Sequence, residues 1–328
     1  MKKLMNSPDA FVDEMLAGLV AAHPSLVHEG RVVCRAGGAR KGKVGIVSGG
    51  GAGHLPLFTG YVGEGLLDAC AVGDVFAGPS VDSCVQAIHT ADGERGVLRL
   101  YGNYGGDRMN FDLAGEMVEM DGIKTTTVLG TDDIASAAPE EGTRRRGVAG
   151  IIYAYKIAGA KAETGADLAE VTATAQAAVD AARTIGVALS PCQIPGAAKA
   201  TFEIGPDEIE MGMGIHGEPG IWRDKLRSAD DVADEMVRRL LADPVASPSG
   251  RVSVLVNSLG ATPLEELFIV YRRVAALLKK EGLTIVRPLV GHYVTSMEMA
   301  GLSISLIHLD AEREKLLAAP CACPFWRV

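Results

Sequence analysis

Apolar and polar positions change their period several times along this chain, and each change marks a predicted element. From Asp9 to Ala22 the apolar residues Phe11, Met15, Leu16 and Leu19 share one helical face, which predicts an opening helix. Lys43–Val47 reads as a short apolar strand that runs into the glycine-rich loop Ser48-Gly49-Gly50-Gly51-Ala52-Gly53-His54. A helix over Val81–Thr90 follows, with Ser80 as its N-cap. Strands are predicted over Gly96–Leu100 and over Lys124–Leu129, the latter rich in β-branched residues. Gly147–Gly165 and Asp167–Ile185 are alanine-rich and predict two helices.

Beyond Gly186 the texture changes. Val187–Ile194 and Glu208–Ile215 read as strands, the second alternating through Ile209, Met211, Met213 and Ile215. Asp231–Leu241 predicts a helix, Ser247–Gly250 a linker and Val252–Val256 a buried strand. Thr262-Pro263-Leu264-Glu265 has the form of a capping box with proline at the first helical position, opening a helix to Lys280. Thr284–Val290 and Ser303–Leu309 close the series as strands. Strands alternating with helices predict an α/β protein. A boundary near residue 185 divides it into domains 1–185 and 186–328, each built on a sheet.

Composition narrows the function. With 328 residues, 48% hydrophobic and 22% charged, the chain has enough apolar content for a sizeable core. A net charge of -9 argues against nucleic acid as a partner, because phosphate contacts need clustered Lys and Arg. Arg144-Arg145-Arg146 is the one dense basic run, and it reads as a solvated helix start. No apolar run reaches the roughly 18 residues of a membrane span. The two N-terminal lysines precede no apolar signal core, so a cytoplasmic protein is expected. The six cysteines form no disulfide framework, and Cys321-Ala322-Cys323 lacks the paired Cys or His of a metal site. No metal or cofactor is expected within the chain.

The candidate chemistry lies in two glycine-rich segments that follow strands and end in His54 and Asp107, the second being Tyr101-Gly102-Asn103-Tyr104-Gly105-Gly106-Asp107. Ligands of α/β sheets bind beyond the carboxyl ends of strands, so these two residues are expected in one pocket. The first segment, Ser48–Gly53, matches neither a phosphate loop nor a dinucleotide fingerprint. His216 stands where the alternation from Glu208 stops, and this predicts an imidazole on a strand end with room for a small molecule beside the flanking glycines. Glu218 either orients that ring or belongs to the turn. His23, His28, His89, His292 and His308 carry no motif and read as structural or solvated, and Met211, Met213, Met297 and Met299 as strand or core residues.

Five segments together carry a resemblance. They are Ser48–His54; Gly73-Asp74-Val75-Phe76-Ala77-Gly78-Pro79-Ser80; Asn103–Asp107 with Asn110-Phe111; Gly214–Gly220; and Asn257-Ser258-Leu259-Gly260-Ala261-Thr262-Pro263. In that order the chain resembles the ketose-binding K domain of the dihydroxyacetone kinase family, from Lys3 to Trp326. The resemblance implies two α/β domains, each a mixed sheet flanked by helices, in a homodimer. It implies that His216 adds through a ring nitrogen to a ketone carbonyl, giving a hemiaminal. Asp107 then accepts the proton of the substrate's terminal hydroxyl, and His54 hydrogen-bonds the substrate. Backbone of Gly51, Ala52 and Gly53 contacts substrate oxygens, and Gly102 lies against the substrate. Ala52, Leu55 and Gly102 stand where the dihydroxyacetone-specific pattern commonly has Ser, Glu and Lys, so erythrulose or apulose fits the pattern as well as dihydroxyacetone. The resemblance also implies a partner L-type subunit that holds Mg-ATP, or Mg-ADP recharged by a phosphotransferase-system M subunit. The alternative is a non-catalytic ketose-binding regulator.

Overall fold

The computed structural model describes residues 2–328. Its first sheet contains β1 (Leu26–Glu29), β2 (Val32–Arg35), β3 (Gly45–Gly51), β4 (Ala69–Gly73), β5 (Val97–Gly102) and β6 (Thr125–Gly130), in the order β1-β2-β4-β3-β5-β6. β4, β3, β5 and β6 run parallel, while β1 and β2 add an antiparallel edge. The chain leaves β3 towards β4 and leaves β5 towards β6. The carboxyl ends of these two neighbours therefore frame a topological switch point, the usual ligand crevice of open sheets.

The second sheet has β7 (Ala182–Ala188), β8 (Glu208–Met211), β9 (Trp222–Lys225), β10 (Arg251–Ser258), β11 (Thr284–Ile285), β12 (Leu289–Gly291) and β13 (Gly301–His308). Its order is β11-β10-β13-β7-β8-β9, with β12 also paired to β10. Both sheets are mixed and flanked by helices, as expected. The helices are α1 (Phe11–Ala22), α2 (Val81–Ala91), α3 (Gly105–Met120), α4 (Ile151–Glu163), α5 (Leu168–Asp180), α6 (Ala229–Ala242), α7 (Leu264–Lys280) and α8 (Ala311–Ala318).

α4 explains how the two sheets share a core. Eleven of its thirteen residues are buried, so it is apolar on every side, as a helix enclosed by protein must be. Tyr155 meets Ser48 of β3 at 2.7 Å, and Tyr153 accepts from Ser253 of β10 at 3.1 Å. One helix thus ties a strand of each sheet.

Several predicted elements change. The helix expected over Asp167–Ile185 stops at Asp180, and the chain turns into β7, which occupies position 185. Leu189–Ile194 consequently lies outside any strand. The expected strand over Thr284–Val290 is broken in two around Arg287, whose φ is +49°. Pro263, not Thr262, is the N-cap of α7; the Thr262 hydroxyl instead donates to Gly301 O at 2.7 Å, so no capping box forms. Ser80 does cap α2, accepting from the amide of Ser83. Arg145 and Arg146 are not solvated. Arg145 is 2% exposed and pairs with Asp243 at 2.6 Å. No helix is long and apolar enough to cross a membrane among the described residues.

Candidate active site

The run Ser48–Gly51 is strand, not loop, and its glycines serve close packing. A Cβ on Gly50 would stand 2.3 Å from the Phe58 ring, and one on Gly51 would stand 2.5 Å from Val75 O. β3 then enters a short turn, Ala52–His54, which delivers the His54 ring to the carboxyl end of the sheet. The amides of Ala52 and Gly53 are already committed, to Asp74 O at 3.1 Å and Val75 O at 2.7 Å. This removes both as donors to a substrate, and neither lines the cavity, whereas Gly51 and Gly102 do.

His54 is 1% exposed. Its Nδ1 lies 2.8 Å from Thr295 O, which can only accept, so Nδ1 carries the proton. Burial, reinforced by the neighbouring His216, lowers the His54 pKa to about 3, so the ring is neutral. Its Nε2 is then a buried lone pair with no partner.

Asp107 arrives from β5. Tyr104 is the N-cap of α3, which places Asp107 in the first helical turn and not at a loop end. Its Oδ1 is buried without a partner, and Gly78 can lie beside it only because a Cβ there would come within 2.7 Å of that oxygen. Burial raises the Asp107 pKa to about 6, against the opposing charge of His216 and a backbone hydrogen bond. The carboxyl therefore titrates close to neutrality, where a general base is most effective.

His216 comes five residues after the end of β8, because Gly212 turns the chain with φ +83°. It sits on a loop, and the expected strand end is absent. Gly217, with φ +85°, closes the turn as its amide donates to Gly214 O at 3.1 Å. Gly214 leaves no room for a ligand: a Cβ there would lie 2.1 Å from Glu218 Oε2. The bare backbone instead admits the Glu218 carboxylate, which accepts from His216 Nδ1 at 2.9 Å and from its amide at 3.0 Å. Nδ1 is thereby the protonated nitrogen and Nε2 the lone pair, an assignment made from the hydrogen-bond network. Burial pushes the Glu218 carboxyl up, but the hydrogen bond and charge of His216, with Arg146, bring it down to about 2.

The three residues meet. Ring centroids of His54 and His216 are 4.7 Å apart, Tyr104 packs edge-on to His216 at 4.7 Å, and Phe76 stacks on His54 at 5.1 Å. Between Gly50, His54, Gly102, Tyr104, Asp107 and His216 lies a cavity of about 10 Å³, the size of one water, so an organic ligand enters only as lining groups move. A roomier groove of about 660 Å³ runs past Tyr101, Arg108 and Asp243. The small cavity, however, is lined by His54 and Asp107, which carry two of the five buried polar side-chain atoms without a partner among the described residues, His54 Nε2 and Asp107 Oδ1.

Tyr104, Phe76 and Thr295 were not anticipated as site residues. The first two lay inside segments whose spacing was already notable, while Thr295 carries no sequence signal. Cys323 accepts from the amide of Trp326 at 3.2 Å, and no group of three or more potential metal ligands occurs among the described residues. Met211, Met213 and Met299 are buried, but Met297 occupies a turn with φ +54°.

The Dak1 domain profile matches residues 17–325. The dihydroxyacetone-binding subunit DhaK of PTS-dependent dihydroxyacetone kinase 1 from Listeria innocua is 44% identical over 315 residues, covering 95% of this chain and 96% of that protein. L-erythrulose 1-kinase of Mycolicibacterium smegmatis is 43% identical over 333 residues, covering 100% of this chain but 58% of that protein. The native dihydroxyacetone kinase of C. freundii superposes with a TM-score of 0.91 at 35% identity, covering 99% of this chain and 60% of that one; a second structure of that kinase contains AMP-PNP and Mg2+. The chain thus spans about three-fifths of the latter two proteins. With a family profile covering nearly all of its length and a 44% identical relative matched over 95% of it, the chain belongs to the Dak1 domain family.

Proposed function

We propose that this chain is the substrate-holding subunit of a short-ketose kinase. It captures the ketose on His216 and presents a terminal hydroxyl to a phosphoryl donor carried by a separate nucleotide-binding subunit. The observation that supports this most is the convergence, in one cavity, of a histidine with a free Nε2, a neutral acceptor histidine and a buried carboxyl with a pKa of about 6.

The chemistry follows from those groups. The Nε2 lone pair of His216 forms a bond to the ketone carbon as the carbonyl π pair passes to oxygen, which is protonated from solvent. Glu218 spreads the positive charge of the ring through Nδ1–H. Polyols without a carbonyl escape capture, so the covalent bond sorts substrates. His54 Nε2 accepts a hydrogen bond from a substrate hydroxyl. Asp107 Oδ1 takes the terminal hydroxyl's proton while that oxygen bonds to phosphorus and the donor's bond to phosphorus breaks. A purely regulatory ketose sensor has no need of this base.

The donor is Mg-ATP, or Mg-ADP recharged by a phosphotransferase-system protein, on the partner subunit. Dihydroxyacetone, erythrulose and apulose all offer a ketone beside a primary hydroxyl. Six free cysteines suit a reducing cytoplasm, and a homodimer is the proposed assembly. The test is a panel of three- to five-carbon ketoses with this chain, an L-type subunit and Mg-ATP. Phosphorylation of at least one ketose, dependent on both proteins, is expected. Binding without turnover with any such partner would move the protein to the regulatory class.

A further inference from the structure

Arg146 has an unusual set of neighbours. Its guanidinium contacts Asp133 at 2.8 Å, reaches Gly212 O at 3.3 Å and lies 3.7 Å from Glu218 Oε2. Asp133 follows β6 of the first sheet, whereas Gly212 and Glu218 flank His216 on the loop after β8. Arg146 therefore ties the loop that bears His216 to the first half of the molecule. The Asp133 side chain is 4% exposed and that of Arg146 15%, so the pair is shielded from solvent and holds a defined geometry.

We propose that Arg146 is a positioning residue, which clamps Glu218 against His216 Nδ1 and so keeps Nε2 the lone-pair nitrogen of that ring. The inference rests on the reading of His216 as the nucleophile. Both oxygens of Glu218 are already used by His216, one on the ring and one on the backbone amide. A carboxylate bonded in this way aims correctly only if its own position is set, and Arg146 is the cation that faces it. The charge is also required on the Glu218 side, where a neutral amide oxygen holds Nδ1–H less strongly. The remaining titratable groups around the pair are the His54 ring, the Tyr104 hydroxyl and the Asp107 carboxyl. None of them supplies a second cation. The pattern is that of a carboxylate fixing a histidine tautomer through its far nitrogen, extended by one residue.

The test uses ring-nitrogen NMR of the full chain in Arg146→Gln and Arg146→Lys variants, with His54 as an internal control. In the unsubstituted protein both histidines should show a protonated Nδ1 and a bare Nε2. Arg146→Gln should leave the His54 signature intact and convert His216 to a mixture of tautomers. Arg146→Lys, which restores a cation, should recover part of the original His216 signature. Ketose capture by Arg146→Gln should weaken by about 10- to 100-fold, the range for losing an outer partner of a functional histidine. An unchanged His216 signature overturns the proposal. So does a parallel change in His54, which would mark a general structural role. Because the NMR readout needs no ketose, it fails or succeeds independently of the kinase reading.

Discussion

His54 and His216 share one cavity, yet the protein treats their rings in opposite ways. His54 is sealed in, and its Nδ1 bonds a backbone carbonyl, Thr295 O. That partner carries no charge to balance an imidazolium, so burial lowers the pKa to about 3 and the ring is a permanent neutral acceptor. His216 is partly open on a glycine loop, and its Nδ1 bonds a carboxylate that Arg146 faces. A carboxylate partner fixes the same tautomer while stabilising positive charge on the ring, which is what a nitrogen needs as it forms a bond to carbon. Two similar rings thus acquire separate roles from the atom behind Nδ1.

The strongest way to sharpen this contrast is to remove the base that neither histidine replaces. Asp107→Asn should lower phosphoryl transfer by about 10²- to 10⁴-fold while leaving ketose capture intact, measured by turnover against adduct mass. In the unsubstituted protein, kcat should fall as pH drops through about 6, because the raised pKa leaves Asp107 protonated below that point. A profile flat from pH 5 to 8 would remove Asp107 from the proton-accepting role.

A smaller effect is expected at His54. His54→Phe removes one neutral hydrogen bond to substrate, a loss of about 1 kcal/mol or roughly fivefold in KM, without abolishing capture. Loss of capture on the scale of a His216 variant would erase the distinction between the rings. The smallest effect concerns stability. The folded His54 pKa, about 3, lies below the ordinary 6.5, so the unfolded chain binds the extra proton between those values. Its contribution is complete above pH 6.5 and is lost as pH falls towards 3. Asp107, raised from 3.8 to about 6, acts in the opposite sense and loses its contribution as pH rises through 6. Melting of His54→Phe should therefore depend less on acid pH than that of the parent chain.

The α/β class and the mixed sheets were legible in the residues, and the long motifs drew attention to His54, Asp107 and His216, which the fold brings to one cavity. Glycine obscured much of the rest. Gly49–Gly51 reads as loop because glycine disfavours strands, but the Phe58 and Phe111 rings pack against backbone that must lack side chains. Gly212 ended β8 earlier than the apolar alternation suggested, since Met213 and Ile215 are buried without pairing in a sheet. Arg146 was lost in a run of three arginines. Its role depends on Asp133 and Glu218, and the latter lies far along the chain, where no periodicity reports the contact. Glu218 itself was visible as a candidate to orient His216, and the structure gives it both the ring and the amide.

Intact-mass analysis of the native protein mixed with dihydroxyacetone or erythrulose reads covalent capture by His216 without a coupled assay. An adduct equal to the whole ketose, without loss of water, that maps to His216 and is absent from His216→Ala is expected. An unmodified mass with every ketose that binds, or an adduct that persists in His216→Ala, would contradict it.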